Sequence, residues 1–493
     1  MPTKEGSIME EYLDRTFTEN GGAAWLTTGS DVLDLFASIG ALRAADDAEI
    51  VRRFVRAYTE DADMAMKLLF FARDIRGGLG ERRVFRVIFR WLAANEPDSV
   101  RKNLAYTAEY GRFDDLLSLL GTPCEAEMLS LLRERFAADT EALRNRGEVS
   151  LLGKWLPSAN ASNAETRAMG RKMAQAFGLS EREYRKALSA LRAKIHIVEN
   201  DLRERDYSFA YEKLPSRALY KYRMAFWRND EARYDAFLKA AADGRAEMHT
   251  DGLAPYELVE SCIGDYENGT LTHEKKTAYN TTWASLPDFG GDENALVVID
   301  TSGSMYCDGK PMPAAVALSL GLYFAERNRG RFHDRVIEFS EHPQFITLRG
   351  ESFADRLRYL CSFCEVANTD LEAVFSLVLH AAVKDGVPRG DMPAKLIIVS
   401  DMEFDACVGH ASRTVFENAQ REYAAHGYAL PQVVFWNAAS RHRQQPVRMN
   451  EAGVALVSGA TPRLFAMVAG ELASPYETMK EILLSERYAP IAA

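Results

Sequence analysis

From about Asp31 to about Cys262, apolar residues recur at three- and four-residue spacing and period-two alternation is rare, which predicts one helix after another. Glu81 to Leu92 shows the rule: Arg82, Arg86 and Arg90 stand four apart on one face, and Val84, Val87, Ile88 and Trp91 occupy another. Helices of this kind, joined by short Gly, Pro or Asp turns, predict a curved array of helical repeats. No strict period is visible, so the repeats are expected to be divergent.

The period fades between residues 271 and 291, which end in Ser285-Leu286-Pro287-Asp288-Phe289-Gly290-Gly291 and read as a linker by composition. Beyond it, short apolar runs alternate with helical segments. Strands are expected at Ala295 to Ile299, Arg335 to Ser340, Gln344 to Leu348, Lys395 to Ser400, Gln432 to Trp436 and Val454 to Ser458. Helices are expected at Pro313 to Arg327, Leu371 to Val383 and Thr414 to His426. This rhythm predicts a doubly wound, mostly parallel sheet covered on both faces. The expected layout is therefore an N-terminal segment (1–30), a helical domain (31–270), a linker (271–291) and an α/β domain (292–493), an α plus α/β two-domain chain.

Asp300-Thr301-Ser302-Gly303-Ser304 directly follows the first apolar run, so a carboxylate and two hydroxyls are delivered together onto a sharp turn. Alone, such a stretch is as readily a polar turn. Two further segments change the picture: Asn368-Thr369-Asp370 precedes a helical stretch, and Asp401 follows the apolar run Ala394 to Ser400. Ligands of open α/β sheets bind outside the carboxyl ends of strands, which is where Asp300 and Asp401 fall. The three segments resemble the metal-ion-dependent adhesion site (MIDAS) of von Willebrand factor A domains. The resemblance implies a Rossmann-like sheet and a site for Mg²⁺ or another divalent cation. It also implies that Ser302, Ser304 and Thr369 ligate directly and that Asp300 and Asp401 act largely through water. Glu403 and Asp405, just beyond, either enrich that site or solvate its loop. Hard cations take oxygen ligands and keep several waters, which leaves a position open for an outside carboxylate.

The helical half carries Arg73 to Arg82, Tyr110-Gly111-Arg112-Phe113-Asp114-Asp115, Lys154-Trp155-Leu156-Pro157-Ser158 and Leu214-Pro215-Ser216-Arg217-Ala218 at helix junctions. In that order, ahead of the metal signature, they resemble the Ro-type proteins, in which a ring of HEAT-like (TROVE-type) repeats is joined to a von Willebrand factor A domain. They resemble more closely a Ro-like family of unknown function with the same pairing. The resemblance implies binding of single-stranded or noncoding RNA. Gly77-Gly78-Leu79-Gly80 lacks the Gly-Lys-Ser/Thr ending of a phosphate-cradling loop and is expected to be a helix-to-helix turn.

The net charge of −11 argues against a nucleic-acid binder taken whole, but residues 51–250 carry 36 Lys and Arg against 29 Asp and Glu. Candidate phosphate contacts there are Arg73, Arg76, Arg82, Arg86 and Arg90 in one stripe and Arg182, Arg185, Lys186 and Arg192 in a second. A solvated face offset by local acids is the plain alternative. Aromatics from Tyr207 to Trp227 could stack on bases, although most are expected in the core. The Cys361/Cys364 pair has no partner pair and reads as ordinary thiols. There is no apolar run of membrane-spanning length and no basic-then-apolar leader, so a cytoplasmic protein is expected. No nucleophile, base or carboxylate pair groups into a catalytic constellation. The sequence thus points to a Ro-like RNA-binding protein with a divalent-cation site. A metal-dependent protein-interaction scaffold that captures a partner's acidic residue is the alternative.

Overall fold

The computed structural model describes residues 14–17, 23–195, 197–290, 294–306, 311–329, 332–340, 342–363, 370–403, 415–439 and 443–493. They form two compact units, Met1–Asp61 with Pro215–Ser485, and Ala62–Leu214 with Glu486–Ala493. Compactness thus divides the chain elsewhere than the change of sequence rhythm does. Helices Ser216–Asn229, Glu231–Ala242, Pro255–Glu267 and His273–Ala284 all fall in the unit that carries the sheet. The last of them occupies the stretch expected to be linker: Ala278, Tyr279, Thr282 and Trp283 are buried, and Trp283 stacks on Phe353 at 4.3 Å between ring centroids. Its threonines and asparagine mask an apolar stripe that is nonetheless present.

A short antiparallel pair, β1 (Arg15–Phe17) and β2 (Ala23–Trp25), precedes the main sheet. The sheet consists of β3 (Ala295–Asp300), β4 (Arg335–Phe339), β5 (Gln344–Thr347), β6 (Lys395–Ser400), β7 (Gln432–Asn437) and β8 (Val454–Ser458), in the order β5-β4-β3-β6-β7-β8. Only β5 runs antiparallel to its neighbour. All six expected strands are present, as are the three expected helices, which run Pro313–Arg327, Leu371–Asp385 and Val415–Ala425.

Every residue of β3 is buried, as a central strand covered on both faces requires. Leu296 and Val298 join Val374, Phe375 and Val378 in one core layer. On the opposite face Gly321 of Pro313–Arg327 lies so close to β3 that a Cβ there would fall 2.4 Å from Ile299 Cδ1. The chain starts the sheet at its centre, builds outward to β5, then returns to the other side through β6. The switch point therefore lies between β3 and β6, where the loops leave in opposite directions and open a crevice at the strand ends.

The other unit is helical, with Ala62–Arg73, Arg83–Asn95, Glu125–Arg144, Ala164–Ala176 and Glu181–Lys194 as its longest elements. The Gly77–Gly80 stretch is a turn folded back on the first of these. Leu79 N donates to Phe71 O at 3.1 Å, Glu81 N donates to Ala72 O at 2.7 Å, and Gly80 has φ of +73°. A Cβ on Gly78 would sit 2.0 Å from Phe71 O. Its amides are committed to the protein's own carbonyls and to the Asp74 carboxylate rather than aimed at an outside anion. Among the described residues, no helix is long and apolar enough to cross a membrane.

Candidate metal centre

β3 ends on Asp300, and the chain then turns through Thr301 and Ser302 into the single helical turn Gly303–Tyr306. Asp300 is 1% exposed. One carboxylate oxygen accepts from the Ser302 amide at 2.9 Å, and the other accepts from Ser400 Oγ, the last residue of β6, at 2.5 Å. The Oγ atoms of Ser302 and Ser304 are 3.0 Å apart. Two ligand oxygens on neighbouring vertices of an Mg²⁺ octahedron with bonds of about 2.1 Å would be about 3.0 Å apart, so the hydroxyls already have the required separation.

Asp401 follows β6 directly and is buried. Met402 turns the chain with a φ of +70°, its amide donates to Ser400 Oγ at 3.0 Å, and the Glu403 amide donates to Asp401 Oδ1 at 3.2 Å. Burial, and secondarily the nearby charge of Asp401, push the Asp300 carboxyl up to about 7. A divalent cation between them would relieve this like-charge repulsion. Among the described residues, no three His, Cys, Asp or Glu side chains group closely enough to hold a metal ion. A cation here would therefore need the serine hydroxyls as well as the carboxylates. Thr369, the remaining expected ligand, lies outside the described residues; its neighbour Asp370 caps helix Leu371–Asp385 by accepting from Ala373 N at 3.1 Å.

Sequence reasoning missed three residues around this point. Ser400 ties the β3 and β6 loops together, and the signal was a hydroxyl closing an otherwise apolar strand. Glu338, buried on β4, accepts from Thr301 Oγ1 at 3.0 Å and from Ser340 Oγ at 3.1 Å, so it holds the turn after Asp300 from the adjacent strand. A carboxylate inside Val336-Ile337-Glu338-Phe339 was its signal. Gln444 donates to the buried Glu403, while its neighbours are held by residues early in the chain: Arg443 by Glu49 at 2.7 and 2.9 Å, and Gln445 by backbone bonds with Trp25. No local pattern in the sequence announces that long-range contact.

Five members of the basic stripes are bonded to other parts of the fold, Arg76 and Arg90 while still exposed. Arg73 is buried and ion-paired with Asp115 at 2.7 Å. Arg86 bridges Asp114 and Asp115, and Arg76 donates to Glu109 O. Arg90 caps the Ser118 and Leu120 carbonyls at 2.9 Å, and Arg192 holds Gly153 O, Leu156 O and Ser158 Oγ at 2.7 to 2.9 Å. These five are engaged within the fold. Arg82, Arg182, Arg185 and Lys186 are exposed, the first on Arg83–Asn95's leading edge and the others on Glu181–Lys194, where Arg185 Nε donates to Glu181 O at 3.3 Å in its own helix. Arg112 lies over the Trp155 ring at 4.5 Å, and Lys154 is 5.5 Å from the same ring, so two of the junction motifs meet. Of the aromatics, Tyr211, Phe226 and Trp227 are core, and Tyr220 bonds to Glu257 O and Ser261 Oγ. Cys361 is a half-buried free thiol, and Cys364 lies outside the described residues.

Known proteins resemble this chain in both parts. Residues 18–130 and 161–288 match a domain of unknown function (DUF2828), and residues 294–482 match a second one (DUF7788). An uncharacterized protein of Acanthamoeba polyphaga mimivirus is 29% identical over 490 residues, covering 92% of this chain and 84% of its own. Among solved structures, the RO (RSR) protein of Deinococcus radiodurans aligns over 93% of this chain and 100% of its own, with 14% identity and a TM-score of 0.37. The chain is thus similar, nearly end to end, to a viral protein, and it joins matches to two domain families in one polypeptide.

Proposed function

We propose that the sheet-bearing unit binds a divalent cation through Ser302 and Ser304, with Asp300 and Asp401 orienting its waters, and that the open position captures a carboxylate of another protein without a catalytic step. The observation that carries this reading is the Ser302 to Ser304 Oγ separation of 3.0 Å beside two buried aspartates at the sheet's switch point. A Mg²⁺-type cation suits it because that ion accepts few protein ligands and exchanges a water for an outside oxygen. Calorimetric titration with Mg²⁺ and Mn²⁺ tests it. Single-site binding is expected for the wild type and loss of it in Asp300→Ala; equal affinity in both would end the reading.

A second reading places single-stranded RNA on the helical unit. Arg112 and Lys154 on the Trp155 ring, with the exposed Arg82, Arg182, Arg185 and Lys186, combine cationic and aromatic surface of the kind that holds phosphate and stacks bases. Replacing Arg82, Arg112 and Lys154 with glutamine should then lower the log–log salt slope of RNA affinity by roughly 0.7 for every phosphate that is no longer neutralised. No binding by wild-type protein at low salt would leave the cation-dependent scaffold alone.

A further inference from the structure

Residues 486–493 pack in the helical unit, although Ser485 belongs to the other. They form one helical turn, Glu486–Tyr488, followed by an irregular stretch through Pro490, so they do not contribute a helix to the array. What holds them is chiefly side chains of the unit gripping their main chain. Lys67 Nζ donates to the carbonyls of Tyr488 and Ile491 at 2.8 and 2.7 Å. Asn103 both donates to Ala492 O at 2.5 Å and accepts from its amide at 3.3 Å, and Asp63 accepts from Ala493 N at 2.7 Å. Tyr110 Oη donates to the Arg487 carbonyl.

Three side chains of the segment fill specific places. Arg487 forms a two-point ion pair with Asp74, one bond of which is 2.8 Å, and lies over the Tyr110 ring at 5.0 Å. Tyr488 is buried, its hydroxyl donating to Asp74 at 3.0 Å and its ring stacking on Tyr110 at 5.8 Å. Ile491 is buried as well. Gly77 leaves room for the arginine, since a Cβ there would lie 2.8 Å from Arg487 Nε. Main-chain bonds that give affinity, and side-chain pockets that give selectivity, are the two components of peptide recognition.

We propose that this face of the helical unit is a peptide-recognition groove for an Arg-Tyr-x-x-Ile segment, and that residues 486–493 occupy it as a releasable intramolecular ligand. The Arg73-Asp74 to Gly80 junction is then the floor of a protein-binding groove. A few connecting residues keep the segment at high local concentration, so the groove is closed to outside peptides while its own segment is seated.

The test uses the full chain carrying Arg487→Ala and Tyr488→Ala, titrated with a fluorescent peptide of residues 484–493. Saturable binding is expected from this variant and none from the wild type at the same concentrations, and a peptide with Arg487→Ala should bind about tenfold or more weakly. A variant that keeps its helical circular dichroism yet binds no peptide overturns the proposal. If the variant does not fold, hydrogen exchange on the wild type decides. The Ala492 and Ala493 amides should exchange at least about tenfold faster than those of Ala62–Arg73, through an opening of the segment alone. Equal rates would make the segment an inseparable part of the core.

Discussion

Arg73 separates a structural arginine from a ligand-binding one. Its guanidinium meets Asp115 through Nε at 2.8 Å and Nη2 at 2.7 Å, with both side chains at most 1% exposed. Asp115 also accepts from Arg86 Nε at 2.7 Å and from the Arg112 amide at 2.9 Å. Replacing Arg73 with glutamine leaves a buried carboxylate short of one of its two countercharges, a class of change that costs about 3–5 kcal/mol. In a unit of this size each kcal/mol moves the melting temperature by about 2–4 °C, so a fall of roughly 6–20 °C is expected. Arg82→Gln, on the exposed side of the same stripe, should stay within about 0.5 kcal/mol of wild type. Scanning calorimetry of the two variants beside the wild type gives both shifts. An Arg73→Gln protein that melts like wild type but loses RNA affinity would refute the ion-pair argument and restore Arg73 as a phosphate contact.

Other expectations follow from single contacts. Burial pushes Asp74 up, but its bonds from Arg487 and from the Arg76 and Gly77 amides outweigh this and hold it below the usual carboxylate range. A depressed carboxylate stabilises above the unfolded value of about 3.9 and loses that contribution as pH falls through the folded one, so protection of residues 486–493 from exchange should persist to about pH 4 and fail below it. Retained protection at pH 2 would contradict the role given to Asp74. Gly321→Ala should destabilise the sheet-bearing unit by about 1–3 kcal/mol in denaturant unfolding, because Ile299 has to move to admit a methyl group; an unchanged midpoint would mean the helix shifts freely. Arg192→Ala should cost about 1–3 kcal/mol by uncapping Gly153 and Leu156, with no change in RNA binding.

Much of the sheet was legible because its strands are short continuous apolar runs between turn signals, and burial on both faces leaves little else for Ala295–Asp300 or Lys395–Ser400 to be. The approach of Asp300 to Asp401 was legible for the same reason: one ends a strand and the other directly follows one, and both strands are central and parallel. Helix His273–Ala284 was hidden because its buried face includes Thr281 and Thr282, which read as polar in a sequence although Thr282 Oγ1 donates back to Ala278 O within the helix. The partners of the arginines were hidden for a different reason. A stripe such as Arg82, Arg86 and Arg90 is regular along the helix, yet one member faces water, one meets two aspartates nearly thirty residues on, and one caps carbonyls. Periodicity specifies a face, whereas the tertiary fold decides what stands opposite. The same holds for residues 486–493, whose docking on Lys67, Asp74 and Asn103 depends on separations of about four hundred residues that no local pattern encodes.

The cation site is tested most directly by Mn²⁺ titration followed by electron paramagnetic resonance, with wild type, Ser302→Ala/Ser304→Ala and Ser302→Thr compared. If the two hydroxyls are neighbouring ligands, wild type and Ser302→Thr should each bind one Mn²⁺, and the double alanine variant should lose at least about tenfold in affinity while keeping its melting temperature. Undiminished Mn²⁺ binding by a folded Ser302→Ala/Ser304→Ala protein would contradict the account.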